Sequence, residues 1–165
     1  MKREDFKDAF DIHFWAPFNV TLPLYLTCRK AVIARIVNIA SFGGKVAVPH
    51  LAPYCVSKFA LIGLSDALRA ELFSKHISVT TVAPGLLRTG SHKNAFFKGQ
   101  HRKEFAWFSL GASNPIVSMD ADRAAGQILE AVRSRRAGAY DHFHSTTSDN
   151  HTSPADECHR RSREA

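Results

Sequence analysis

Two apolar runs constrain this chain more than any other feature. ARIVNIA (34–40) and ISVTTVAP (77–84) are β-branched and of the kind found in buried strands. Between them, residues 54–74 carry Val56, Phe59, Leu61, Leu64, Leu68 and Leu72 as the apolar members of a helix. A further helix is predicted over 4–30, where Phe6, Phe10, Ile12, Phe14, Phe18 and Leu22 make a broad apolar face. Pro17 and Pro23 sit inside it and predict a kink or an early end. Downstream, SMDADRAAGQILEAVRSRR predicts a helix with Ser118 or Asp120 as its cap, acids early and arginines in its last turn. Helix, strand, helix, strand, helix is the rhythm of an α/β fold built on a parallel sheet.

The 165 residues suit one domain. That rhythm stops at about residue 137, and 145–165 contains no Val, Ile, Leu, Met, Phe, Trp or Tyr. The expectation is therefore a folded region over 1–137 and a disordered tail over 138–165. No stretch approaches the roughly eighteen unbroken apolar residues of a membrane span, and the charged start MKREDFKDAFD has no signal-type segment. Cys28, Cys55 and Cys158 are scattered and form no CxxC, which fits a reducing compartment, so a cytoplasmic location is expected.

The net charge of +7 directs attention to the stretch from Leu72 to Lys103, which has no acidic residue. Its Lys75, Arg88, Lys93, Lys98, Arg102 and Lys103 suit a phosphorylated cofactor or a solvated face, and without a recognisable motif no nucleic-acid partner is assigned. His142, His144, His151, Cys158 and His159 lie where no scaffold fixes their geometry, so no metal site is assigned.

The strongest chemical candidate is YCVSK. Tyr54 and Lys58 stand one helical turn apart and share a face. An ammonium near a phenol makes it usable as an acid or base near neutral pH. Alone the pair is weak, because a surface lysine on an amphipathic helix looks the same. Its company strengthens it. Ser41 directly follows the first strand, where a parallel sheet presents side chains to a crevice, and APGLLRTG (83–90) leaves the next strand at the same edge. Cys55, beside Tyr54, is expected to be packed rather than reactive.

RIVNIAS (35–41), YCVSK (54–58) and VAPGLLRT (82–89), in this order and at these separations, resemble the short-chain dehydrogenase/reductase family over about residues 4–135. The resemblance implies a Rossmann-like doubly wound sheet and an NAD(P)-dependent oxidoreductase that interconverts a secondary alcohol and a ketone by hydride transfer. Tyr54 would be the acid/base, and Lys58 would favour the phenolate and bond the nicotinamide ribose. Ser41 would hold the reacting oxygen. Pro84, Gly85 and Thr89 would contact the nicotinamide end of NAD or NADP. Matching FDIHFWAPFNV to the helix before the serine strand puts His13 where the family usually has the Asn of a proton relay. His13 in the relay and His13 as a structural bond are both open. Phe96, Phe97, Phe105, Trp107 and Phe108 fall in the family's substrate-covering segment, which favours a small apolar alcohol or ketone, and a role in the core or in a subunit contact is equally open. The helices at 4–30 and 54–74 would support a homo-oligomer.

The nine glycines include no G-x-x-x-G-x-G and no G-x-G-x-x-G, so the turn that holds a dinucleotide pyrophosphate is absent from this sequence. The two strands would be the fifth and sixth of the family's sheet, the first four being absent and no apolar run after 137 supplying the seventh. ARIVNIA would then have an exposed edge. The alternative expectation is an inactive product of a truncated gene, at most a subunit-association module.

Overall fold

The computed structural model describes residues 1–28, 34–75, 77–90, 118–134 and 138–140. Helix α1 (Arg3–Phe10) leads through a single π-helical segment (Asp11–Trp15) into α2 (Ala16–Cys28). Strand β1 (Ala34–Ile39) follows, then a 3-10 turn at Phe42–Gly44, helix α3 (Ala52–Leu72) and strand β2 (Ile77–Ala83). Helix α4 (Ala121–Arg133) and a short strand β3 (Gly138–Tyr140) complete the described elements. The sheet is wholly parallel in the order β1-β2-β3. Ala34 pairs with Ile77 and Ile39 with Val82.

The third strand corrects one expectation. Regular structure does not stop at 137, because Gly138, Ala139 and Tyr140 pair with Thr81, Val82 and Ala83. A parallel strand of three residues needs backbone more than apolar side chains, so a search for a β-branched run passes over it. The remainder of the predicted tail, and the aromatic and basic segment 91–117, lie outside the described residues.

The prolines do not bring the helix to the early end that was one expectation. Pro17 has no N–H to bond the His13 carbonyl, so the α-helical pattern cannot be completed there. The backbone widens instead: the Ala16 N–H donates to the Asp11 carbonyl, five residues back. The helix then runs on past Pro23 to Cys28. Among the two caps foreseen for α4, Asp120 serves, its carboxylate accepting from the Asp122 N–H.

Strand β2 is buried over most of its length, whereas β1 buries Ala34, Ile36 and Asn38 and exposes Arg35 and Ile39. One face of β1 is therefore open among the described residues, and this strand is an edge of the sheet. On its covered face, Ala34, Ile36, Ile77 and Val79 pack with Leu72 and Leu68 of α3. Farther along, Ala40 packs with Leu61, Ile62 and Leu64.

The inward stripe of α3 is more polar than its sequence suggests. Ser57, Leu61, Ser65, Arg69 and Leu72 recur at helical spacing and are all buried, while Val56 and Phe59 face solvent. Ser65 Oγ donates to the Leu61 carbonyl at 2.7 Å and accepts from Asn38 Nδ2 of β1 at 2.9 Å. The Arg69 guanidinium reaches the Val79 carbonyl, Thr81 Oγ1 and Asp66 at 3.0, 2.7 and 2.6 Å. These partners keep the polar stripe compatible with burial.

Close approach at the 3-10 turn is tested by one pair of substitutions. A Cβ on Gly44 would stand 2.7 Å from the Lys58 carbonyl oxygen, whereas one on Gly63, exposed on the same helix, would meet nothing within 4 Å. Gly44→Ala is expected to destabilise the fold by about 1–3 kcal/mol. Gly63→Ala is expected to stabilise it by roughly 0.5–1 kcal/mol. Denaturant midpoints of the two variants check this, and equal midpoints would refute the close contact.

Candidate active site

Ser41 lies two residues past the end of β1 and caps the 3-10 turn, its Oγ accepting from the Gly43 N–H at 3.1 Å. That turn is drawn against α3: a Cβ on Gly43 would lie 3.1 Å from Tyr54 Cε1. Absence of a side chain therefore lets the loop bring the Ser41 hydroxyl near enough to the Tyr54 phenol to favour its ionised form. The glycine pair that contributes nothing to a phosphate cradle has this packing role instead.

The turn leaving β2 is tied to the same edge. The Ala40 N–H donates to the Val82 carbonyl at 2.7 Å and the Phe42 N–H to the Pro84 carbonyl at 2.8 Å. Pro84 and Gly85 thus sit beside the Ser41 loop, half-buried, and Thr89 is exposed beyond them. Arg88 anchors the segment by donating to the Ser118 carbonyl, with Asp120 Oδ2 at 3.7 Å. A parallel bridge joins Leu87 to Met119.

Tyr54 and Lys58 lie in the first two turns of α3, as their spacing predicts. Lys58 Nζ donates to the Ile39 carbonyl at 3.2 Å and stands 6.0 Å from the centre of the Tyr54 ring. The ammonium is thus directed at the end of β1 and not at the phenol oxygen. Burial pushes the Tyr54 phenol above its ordinary value, and the Ser41 hydroxyl pulls it partly back. This differs from the expected depression by Lys58, for two reasons: desolvation favours the neutral phenol, and the cation is spent on a carbonyl. Lys58 itself is lowered by burial.

His13 belongs to the same cluster. Its ring meets Tyr54 edge-on, with centroids 5.1 Å apart, and its Nδ1 lies 3.1 Å from Ser57 Oγ. Burial, then the Lys58 charge, hold the imidazole below its ordinary value. The structure therefore brings Ser41, Tyr54, Lys58 and His13 together at the C-terminal end of β1. Thr89 is exposed, beyond the Pro84–Gly85 turn. Ser57, buried between His13 and Tyr54, was not singled out by sequence reasoning. Its only signal was a small polar residue within YCVSK.

Chemically, the arrangement offers a phenol held protonated, a hydroxyl beside it, a lysine and an imidazole. These suit the handling of one proton at an oxygen. The half-buried Lys58 and the Pro84–Gly85 turn suit the ribose and nicotinamide end of a dinucleotide. No group of three or more metal-ligating side chains occurs among the described residues, and none of the described helices is long and apolar enough to cross a membrane.

The match of the short chain dehydrogenase family covers residues 1–98. Mouse mitochondrial D-beta-hydroxybutyrate dehydrogenase is 34% identical over 82 residues, which is 50% of this chain and 24% of that protein. The 3-oxoacyl-acyl-carrier-protein reductase FabG of Rickettsia conorii is 37% identical over 89 residues, 54% of this chain and 37% of that one. In fold, a gluconate 5-dehydrogenase from Burkholderia cenocepacia, solved with NADP and tartrate, superposes with a TM-score of 0.70 at 20% identity. That likeness covers 87% of this chain and 56% of the other. The matches thus span about a quarter to two fifths of these curated relatives and over half of the solved structure. With its parallel sheet and its Ser41, Tyr54 and Lys58 in the family's order, the chain belongs to the short-chain dehydrogenase family of oxidoreductases.

Proposed function

We propose that this chain supplies the proton-handling half of an NAD(P)-dependent oxidoreductase acting on a secondary alcohol or ketone. The observation that carries the proposal is the convergence of the Tyr54 phenol, the Ser41 hydroxyl and Lys58 at one sheet edge. Ser41 holds the carbonyl or alcohol oxygen of the substrate beside Tyr54. In reduction, Tyr54 gives its proton to the developing alkoxide; in oxidation only its phenolate, the form that burial disfavours here, could take the alcohol proton. Lys58, Pro84, Gly85 and Thr89 would hold the nicotinamide end of the cofactor, which when bound would supply or accept the hydride. His13, at the family's Asn position, receives or returns the proton that Tyr54 exchanges. The absent glycine-rich turn would have to come from polypeptide beyond this sequence, so the whole site would be completed by that part.

A second reading is favoured by the outer faces of the helices. Ile12, Val20, Leu22 and Leu24 before β1, with Val56 and Phe59 on α3, are large apolar residues left between 44% and 66% exposed. Such a surface suits contact with another subunit, and the chain would then act as an association module even without turnover.

Titration of reduced nicotinamide dinucleotide into the chain, followed by cofactor fluorescence, separates the two. Enhancement that Lys58→Met abolishes supports the enzyme reading; no change up to millimolar concentration, with a dimer by sedimentation, supports the second. In the completed enzyme, Tyr54→Phe is expected to lower reductive kcat by about 100-fold or more while leaving cofactor affinity in place. Equal loss of both would remove Tyr54 from the proton step.

The raised phenol makes a further prediction. An acid whose folded pKa is raised keeps its neutral form to higher pH, so the associated stability is present below 10.0 and lost as pH rises through the folded value. The ultraviolet difference titration of wild type minus Tyr54→Phe should therefore show phenolate appearing only above pH 10.0. Ionisation well below that value would contradict the burial argument.

A further inference from the structure

Ser57 is wholly buried, and its hydroxyl carries one proton between two neighbours. The Tyr54 carbonyl oxygen lies 2.8 Å away and His13 Nδ1 lies 3.1 Å away. A carbonyl has no proton to give, so the shorter contact requires Ser57 to donate. Its oxygen then faces Nδ1 as an acceptor, and Nδ1 must carry the proton of the imidazole. The reverse assignment would forfeit the shorter bond at a site that solvent does not reach.

We infer that Ser57 is a positioning residue that fixes His13 in its Nδ1–H tautomer, so that Nε2 is the unprotonated nitrogen of the ring. Its use in catalysis rests on the oxidoreductase reading of Tyr54; the tautomer itself does not. Nε2 makes no hydrogen bond to a described residue. An Asn at this position would offer a donor and an acceptor, whereas His13 held in this way offers an acceptor alone. Any water that bonds Nε2 must therefore act as the donor.

The same geometry restricts proton movement. When Nε2 takes a proton, an N–H bond forms there, the donor's O–H or N–H bond breaks, and the ring becomes the imidazolium. The proton on Nδ1 has no onward route, because the oxygen it faces has its own proton committed to the Tyr54 carbonyl. The acquired proton leaves through Nε2 again. His13 is thus a one-sided proton holder, not a conduit through its ring.

The test is long-range nitrogen–proton NMR on the full chain with nitrogen-15 histidine, the His13 signals being identified by their loss in His13→Asn. Wild type at about pH 8, where the imidazole is neutral, is expected to show Nδ1 protonated and Nε2 bare. Ser57→Ala should move the signals toward the Nε2–H form, and Ser57→Thr should restore them. An Nε2–H pattern in wild type overturns the inference, as does a Ser57→Ala variant with unchanged signals. Should Ser57→Ala fail to fold, the wild-type pattern decides alone. Loss of nicotinamide binding with the tautomer retained would count against the oxidoreductase reading and leave the role of Ser57 standing.

Discussion

Everything at the sheet edge depends on how closely α3 lies against the strands. Its inward stripe places serines at 57 and 65, each fully buried, where larger side chains would lift the helix away. Small size alone would leave polar atoms stranded, so each hydroxyl is matched: Ser57 by the Tyr54 carbonyl, Ser65 by Asn38 and the Leu61 carbonyl. Gly44 extends the principle into the loop, lying against the backbone of Lys58. Tyr54, Lys58 and Ser41 inherit their separation from this packing. Their chemistry is thus a property of the interface between helix and sheet as much as of the residues themselves.

Much of this was legible in the sequence because it is written in local patterns. Continuous β-branched runs announced both main strands, and the order Ser41, Tyr54, Lys58 announced their shared edge. The inward face of α3 was less legible. Val56 and Phe59 look like core by composition yet face outward, while Ser57, Ser65 and Arg69 look like surface and are buried. Hydrophobic counting cannot see a polar residue whose partner lies on another element. The strand at Gly138–Tyr140 escaped for the related reason that its pairing is a backbone property. His13 was placed by alignment of motifs, but its link to Ser57 spans 44 positions and has no local trace.

The electrostatics of the cluster share one direction. Burial lowers Lys58, lowers His13 and raises Tyr54, so each of the three is moved toward its uncharged form. A site of this kind resists isolated charge and accommodates it only when a compensating group arrives.

The π-helical segment before α2 has a geometric consequence of its own. Each residue of an α-helix advances the chain by about 100° around its axis, so one widened turn shifts the phase of everything beyond it. The stripe that α1 turns inward and the stripe continued by α2 are therefore not the same line along the sequence, although the helix looks continuous. Removing a single residue between Asp11 and Trp15 would bring the two segments back into phase. It would also turn the residues on one side of the join by nearly a third of a circle, carrying His13 or its neighbours off the face that meets Tyr54. Length between these positions, and not only the identity of the residue at 13, is thus under structural constraint.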